Sequence, residues 1–497
     1  MTFAEMKATL EIGAEIRVTG LPEALLEKIH LSFTTPNHKK KGFQEKMYPN
    51  AKVKEPDYIE WAYREPGIGG AVRVPRGAIK DLLRHLTTLK VKIPTAGDNR
   101  LIDLRAIGEP IRMKKPLGGK ELRDYQAFAR DRFFARPTPD GKTQPGYQGL
   151  LILPAGAGKT ITALSIVSHP LALRKTLVVM PQRKLVDQWQ ETFSPYFNVT
   201  CVSEGEADFS GDVVVGTYQS IIPRLREDRA LRTSFGMFVV DEAHHAPAAS
   251  FREILQLMPA RYRLGVTATP GEDEKLQALK WCFGVIVLQK TAQELQAAGH
   301  LQQGHLHIVR SKFKYDVEGE MTASVMHALE KALTEDAARN DLIARLVAHE
   351  VAKGERVLLL TGRKEHCLTL EKLLKKRGVV DAYVVNSDVS TKKQEDRYAI
   401  IRERKGVVLI ATQIADEGLD LPMLSCLVLA FPQKSKDRTN QRVGRVLRVM
   451  DGKMSKIYDI VDEQVPMLMN RYRERRKVYI KDLGMKEVDQ LSIPGIS

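Results

Sequence analysis

At 497 residues, with 43% apolar and 28% charged residues, the chain has the length of about three domains and the composition of a soluble globular protein. Lys+Arg 77 against Asp+Glu 61 leaves a net charge of +16, which points to a polyanionic partner without saying which one. No stretch approaches the ~18 apolar residues of a membrane span, and Cys201, Cys282, Cys367 and Cys426 lie too far apart for a zinc site or a disulfide framework. The N-terminus lacks the apolar core of a signal peptide, so a cytoplasmic protein in a reducing compartment is expected.

Residues 1–115 read as a small α+β domain. Segments 15–20 and 58–63 alternate like half-buried strands, 23–29 is helical, and 78–89 forms a second helix after the turn Val74-Pro-Arg-Gly77. Loop 37–48 carries Lys39, Lys40, Lys41 and Lys46 among Phe43 and Tyr48. Cations with interleaved aromatics can grip phosphates and stack on an exposed base. The same residues read equally as a solvated charged loop and, behind both, as a nuclear-import signal.

A linker-like segment, 114–119, leads to Leu122-Arg-Asp-Tyr-Gln126 at the start of a helix. The Gln126 amide can both donate to and accept from an adenine edge. Beyond it an apolar run, 150–153, breaks at Pro154 into Ala155-Gly156-Ala157-Gly158, and Lys159-Thr160 open a helical pattern. Strand, glycine turn and helix in that order make a phosphate cradle. Glycines let backbone N–H groups close on phosphates, the helix N-terminus favours an anion, the lysine reaches the terminal phosphates and the threonine hydroxyl can hold Mg2+. Leu153 stands where the strict pattern has its first glycine, and an ordinary tight turn is the competing reading.

From here apolar runs alternate with helical patterns, as in a parallel α/β sheet. Segments 176–181, 212–218, 237–242 and 264–269 are its further strands, and each ends in polar residues that should converge on a ligand at the carboxyl ends of the strands. At one tip, Asp241-Glu-Ala-His-His245, the aspartate can hold Mg2+ and Glu242 can orient or deprotonate a water. His244 and His245 are poor metal ligands, because adjacent residues point in different directions and no further ligand spacing follows.

Gln126, the loop 156–160, the DEAH box Asp241-Glu-Ala-His244 and Thr267-Ala-Thr269 together resemble the first motor domain of superfamily 2 helicases. The likeness continues through 356–363, 410–420 and Asn440-Gln-Arg-Val-Gly-Arg-Val-Leu-Arg448, and covers roughly residues 120–465. It implies an α/β fold of two tandem RecA-like parallel-sheet motor domains, 116–303 and 304–464. Ahead of them stands a small α+β N-terminal accessory domain, 1–115, and behind them a C-terminal helical tail, 465–497.

The resemblance also implies the chemistry. ATP and Mg2+ would be used, with Gln126 on the adenine, residues 154–160 on the phosphates, Thr160 and Asp241 on the metal, and Glu242 activating water. Gln441, Arg445 and Arg448 would reach the γ-phosphate, the two arginines sharing one helix face. Gly418 and Asp420 would contact the nucleotide. Pro181, Gln182, Arg183, Thr217, Arg363 and Thr412 would line a DNA backbone path without reading sequence. Thr267 and Thr269 would link hydrolysis to movement.

Segments 271–275, 291–300 and 338–343 narrow the likeness to XPB and the phage UvsW branch-migration helicases, although Gly271 stands where that group has an arginine before its two acids. A monomeric helicase or translocase on branched or fork DNA follows, with 3′ to 5′ polarity. In that reading Lys39, Lys40, Lys41 and Arg76 help to select the substrate. The alternatives are a DEAH-type RNA helicase, the motor of a restriction or defence complex, and a binding clamp with a dead motor. The basic tail 464–484 reads as a packed helix with its charges in water in preference to a second DNA site.

Overall fold

The computed structural model describes residues 6–36, 58–65, 70–95, 98–118, 122–137, 143–203, 206–245, 249–271, 273–316, 322–412, 421, 423–432, 443, 446 and 455–488. The chain divides into two compact units, one of residues 1–153 with 158–289 and one of 290–497 with 154–157.

In the first unit a five-stranded sheet runs in the order Tyr63–Glu65, Ala71–Pro75, Glu15–Thr19, Thr9–Ile12, Leu101–Asp103. Alternation along its strands turns Leu10, Ile16, Val18, Val72 and Val74 inward, where the helices Glu23–Leu31 and Ile79–Thr88 cover them with Leu25, Ile29, Leu82 and Leu86. The expected single strand 58–63 is two short strands, Tyr58–Glu60 and Tyr63–Glu65, because the chain bends at Trp61 and Ala62 to bury both side chains.

The second sheet of this unit has eight strands in the order Glu206–Ala207, Val199–Ser203, Val213–Thr217, Thr176–Met180, Met237–Val240, Tyr262–Thr267, Gln148–Ile152, Ile286–Gln289. All pairs are parallel except the edge hairpin. Helices cover both faces, so every residue of the strands Gln148–Ile152, Thr176–Met180 and Met237–Val240 is buried, which explains their unbroken apolar runs.

One apolar core joins the two sheets, running from Leu10, Trp61 and Val74 to Phe238, Leu279 and Phe283. The connecting segment is a strap along the amino ends of the parallel strands. Ala106 N–H donates to Pro259 O, Glu109 N–H to Ser234 O, Ile111 N–H to Leu173 O and Lys114 N–H to Tyr196 O. Each acceptor lies just before a strand. The N-terminal sheet is thereby fixed at the end of the parallel sheet opposite the phosphate loop.

The second unit is built on a seven-stranded parallel sheet, ordered Ala382–Val385, Val407–Ala411, Arg356–Leu360, Cys426–Leu429, Ser455–Val461, Gly304–Arg310, Lys486–Val488. Both of its faces carry apolar cores. The C-terminal segment is a helix, Pro466–Lys477, followed by a strand, Lys486–Val488, that pairs with Gly304–Arg310. Arg475 departs from the expected solvated basic side: it is buried and donates twice to Asp459, at 2.8 Å each, with the Tyr479 hydroxyl on the same carboxylate.

Candidate nucleotide site

The strand Gln148–Ile152 runs out at the carboxyl edge of its sheet, and the chain turns there through Gly156 and Gly158, whose φ values of 79° and 76° lie where glycine is favoured. Gly158 also needs to be small, since a Cβ on it would sit 2.6 Å from Gln126 Nε2. The helix Lys159–Val167 starts directly after it, so its free N–H groups face the turn. Lys159 Nζ reaches back to Leu153 O at 3.4 Å, a long contact that a phosphate oxygen can replace.

Gln126 lies against this loop. Its Nε2 donates to Gly158 O at 3.4 Å, and its Oε1 accepts from the N–H of Arg123 at 3.1 Å, closing the first turn of the helix Asp124–Phe134. The expected adenine reader is thus a buried brace between that helix and the phosphate loop, with one amide hydrogen uncommitted by these bonds.

Asp241 follows the strand Met237–Val240, and its own N–H donates to Val179 O on the neighbouring strand. Both carboxylate oxygens are engaged: Oδ1 accepts from Glu242 N–H at 2.8 Å and Oδ2 from the Trp189 indole N–H at 2.7 Å. Burial, reinforced by the Glu242 charge, pushes the Asp241 carboxyl up to about 6, against the pull of the Lys159 ammonium and the Trp189 bond. Burial also works against ionisation of Glu242, but the neighbouring His244 and Lys159 outweigh it and hold this carboxyl below its usual range. Lys159 therefore acts electrostatically on both acids.

Glu242 has φ of +49°, a left-handed conformation that costs a residue with a side chain some strain. His244 Nδ1 lies 3.1 Å from Thr267 Oγ1 and 3.3 Å from Glu242 Oε2. Only the threonine contact has hydrogen-bond geometry, and Thr267 Oγ1 also accepts from Thr269 N–H at 3.2 Å. The second expected feature of the site, the Thr267-Ala-Thr269 turn, is in this way tied to the acidic pair.

Among the described residues no group of three or more His, Cys, Asp or Glu could hold an ion; the residues expected to hold Mg2+, Thr160 and Asp241, would supply one hydroxyl and one carboxylate. Two protein oxygens suit Mg2+, which keeps several waters and completes its shell with substrate phosphates.

The expected DNA-path residues of the first unit stand at the same sheet edge. Gln182 is the N-cap of the helix Arg183–Phe193, with Arg183 exposed, and Pro181 precedes it after the strand Thr176–Met180. Thr217 caps the helix Tyr218–Glu227 by accepting from Ser220 N–H. In the second unit Arg363 and Thr412 follow neighbouring strands, Arg356–Leu360 and Val407–Ala411. Arg363 donates to His327 O at 3.2 Å, and the buried Thr412 Oγ1 has no partner among the described residues.

Lys39, Lys40, Lys41, Gly418, Asp420, Glu272, Gln441, Arg445 and Arg448 lie outside the described residues. Arg76 is a correction. It is 3% exposed and donates to Gln148 Oε1, Gly13 O and Ala260 O, so it joins the two sheets of its unit and is not available to select DNA. Trp189 is the site residue that motif reasoning passes over. It sits on the apolar face of the helix that follows Pro181-Gln-Arg183, a pattern that signals burial and not a bond to Asp241.

Residues 119–272 match the family described as type III restriction enzyme, res subunit, and residues 338–450 match the helicase conserved C-terminal domain. The chain is 27% identical over 370 residues to a protein of Sulfurisphaera tokodaii named DNA 3′-5′ translocase XPB2, covering 67% of this chain and 79% of that one. It is 23% identical over 404 residues to the general transcription and DNA repair factor IIH helicase/translocase subunit XPB of Encephalitozoon cuniculi, covering 76% of this chain but only 57% of that one. A fragment of an HsdR subunit of a type I restriction enzyme from Vibrio vulnificus has a similar fold, with a TM-score of 0.54 at 21% identity, covering 74% of this chain and 68% of that one.

Proposed function

The chain belongs to the superfamily 2 helicases of the XPB-like group, and from that premise we propose that it is an ATP-driven DNA helicase or translocase that remodels forks and four-way junctions in replication, recombination or repair. The observation that carries the reading is the electrostatic set of Lys159, Asp241 and Glu242 at the strand ends, linked by His244 to the Thr267 turn. The names of its relatives support a 3′ to 5′ direction on DNA, and the net charge of +16 supports a polyanionic track. No helix among the described residues is long and apolar enough to cross a membrane. A monomer in the cytoplasm, at the nucleoid, is the working state.

In this mechanism the loop 154–160 cradles the β- and γ-phosphates of ATP with backbone N–H groups, and the Lys159 ammonium offsets their charge. Thr160 and Asp241 would hold Mg2+, and the ion would supply neutralisation of the phosphate charge. Glu242, kept ionised, takes a proton from the water that attacks the γ-phosphorus. The new P–O bond forms as the bond to the β-phosphate oxygen breaks, and ADP and inorganic phosphate leave. Gln126, Gly418 and Asp420 position the nucleoside, and Gln441, Arg445 and Arg448 contact the γ-phosphate. Pro181, Gln182, Arg183, Thr217, Arg363 and Thr412 hold the DNA backbone, so binding weakens with salt.

A second reading, the motor of a restriction complex, is favoured by the family match of residues 119–272. The deciding experiment is an ATP-dependent unwinding panel of fork, four-way junction, overhung duplex and their RNA equivalents, run with the wild type and Lys159→Ala. We expect DNA-stimulated hydrolysis, preference for branched DNA, and loss of hydrolysis and unwinding in the variant. Activity retained in Lys159→Ala would sink the assignment; activity on RNA alone, or on no branched substrate, would sink the choice of DNA structure.

A further inference from the structure

Asp241 is held from two sides, and one of them leads to the DNA path. Trp189 is 1% exposed, and its indole N–H donates to Asp241 Oδ2 at 2.7 Å. Its ring stacks on Phe193, one turn further along the same helix, with centroids 5.3 Å apart and 28° between the planes. Phe193 is fully buried, so the indole cannot swing away without opening the core. A carboxylate torsion is otherwise broad. With Oδ1 on Glu242 N–H and Oδ2 on Trp189, the Asp241 carboxylate has one plane.

The same helix, Arg183–Phe193, opens on the turn Pro181-Gln-Arg183. Six residues separate Arg183 from Trp189, roughly 9 Å of rigid helix. That helix is the physical link between the turn and the donor that fixes Asp241. Glu242 belongs to the same link, because the N–H that Asp241 Oδ1 accepts belongs to Glu242 and accompanies its left-handed backbone.

We propose that Trp189 is a positioning residue whose indole N–H sets the plane of the Asp241 carboxylate and couples it, through the Arg183–Phe193 helix, to DNA held at Pro181–Arg183. The proposal rests on the functional reading above. A tryptophan that merely satisfies its own N–H in the core would fill the same space but would leave metal affinity independent of DNA.

The test uses the full chain with ADP and Mn2+ in place of Mg2+, following bound Mn2+ by electron paramagnetic resonance with and without a single-stranded oligonucleotide. The wild type should bind Mn2+ with an affinity that the oligonucleotide changes. Trp189→Phe should weaken Mn2+ binding by about tenfold or more, the scale seen when a residue behind a metal ligand is lost. It should also remove the response to DNA, while DNA binding without nucleotide stays at the wild-type level. Benzothienylalanine placed at position 189 alone keeps the shape and stacking of indole and replaces only the N–H with sulfur. It should reproduce the phenylalanine result, and it serves in place of that variant should the latter not fold. Unchanged Mn2+ affinity and an unchanged DNA response in either folded variant overturn the proposal and leave the helicase reading intact. A wild type that binds no Mn2+ with ADP overturns both.

Discussion

His244 Nδ1 lies 3.1 Å from Thr267 Oγ1, and this contact joins the acidic pair at the end of one strand to the turn at the end of the next. Thr267 in turn receives the Thr269 N–H, so one hydroxyl organises the turn and touches the histidine. Thr267→Ala removes that link without touching Lys159, Asp241 or Glu242. DNA-stimulated hydrolysis should stay within a few-fold of wild type, while base pairs opened per ATP should fall about tenfold, the worth of one ~1.4 kcal/mol contact. Measuring both rates on the same fork checks this; a parallel fall in both would show that the contact serves hydrolysis itself.

Arg263 makes the second prediction. Arg263 is 1% exposed and its guanidinium finds only carbonyl oxygens, donating to Ala14, Leu255, Met258 and Cys282 at 3.0, 2.9, 2.9 and 3.4 Å. Burial drags its pKa down to about 10, so it remains charged at neutral pH. Arg76 makes the reciprocal bond, from the N-terminal sheet to Ala260 O at 2.7 Å. Arg263→Met strands four carbonyls and should destabilise the first unit by about 3 kcal/mol or more in urea unfolding. Because the two sheets share one core, removal of residues 1–115 should yield insoluble protein, and substrate preference is better tested by point substitutions.

These arginines mark where the sequence stops being readable. The phosphate loop and the Asp241-Glu242 tip are local: a strand, a turn and a helix start lie within a few residues, and the chemistry follows from their order. The parallel sheets are legible for a similar reason, as continuous apolar runs. Arg76 and Arg263 look like surface cations because charged residues are seldom buried, and their burial depends on partners as far as 184 and 249 residues away. Trp189 is separated from Asp241 by 52 residues, and nothing in its own helix distinguishes a donor to a carboxylate from an ordinary core aromatic. The strap 104–114 has no periodicity because its hydrogen bonds go to strand ends and not to a ladder.

Gly236 tests the strap. It precedes the strand Met237–Val240, and a Cβ on it would lie 1.9 Å from Ile107 O and 2.7 Å from Arg174 Cβ, both part of the packed edge. No side-chain rotation relieves a clash with backbone. Gly236→Ala should therefore cost about 1–3 kcal/mol by overpacking, seen as a lower urea midpoint with the same m-value. Gly118→Ala is the control, since its Cβ would meet nothing within 4 Å.

A buried histidine makes the stability of the second unit depend on pH. His366 is 1% exposed; its Nε2 lies 2.7 Å from Asn340 Oδ1 and its Nδ1 contacts the Thr361 hydroxyl. Those partners fit a neutral ring that donates from Nε2 and accepts at Nδ1. Burial, with the nearby Arg339 charge adding to it, pushes the imidazole down to about 3 from its ordinary 6.5. The unfolded chain therefore takes up a proton below 6.5 that the folded chain refuses until about 3. Between those values the unfolded state binds more protons, so stability falls as pH falls, by at most about 1.4 kcal/mol per unit from this one group. A glutamine can keep a donor and an acceptor but does not titrate. The difference in unfolding free energy between wild type and His366→Gln should thus be constant above pH 7 and should shift steadily against the wild type from pH 6 to pH 4. Carboxylates that titrate in the same range affect both proteins alike and cancel in the difference. Urea midpoints at half-unit pH steps give the measurement, and parallel curves would show that the buried ring takes its proton as readily as the unfolded one.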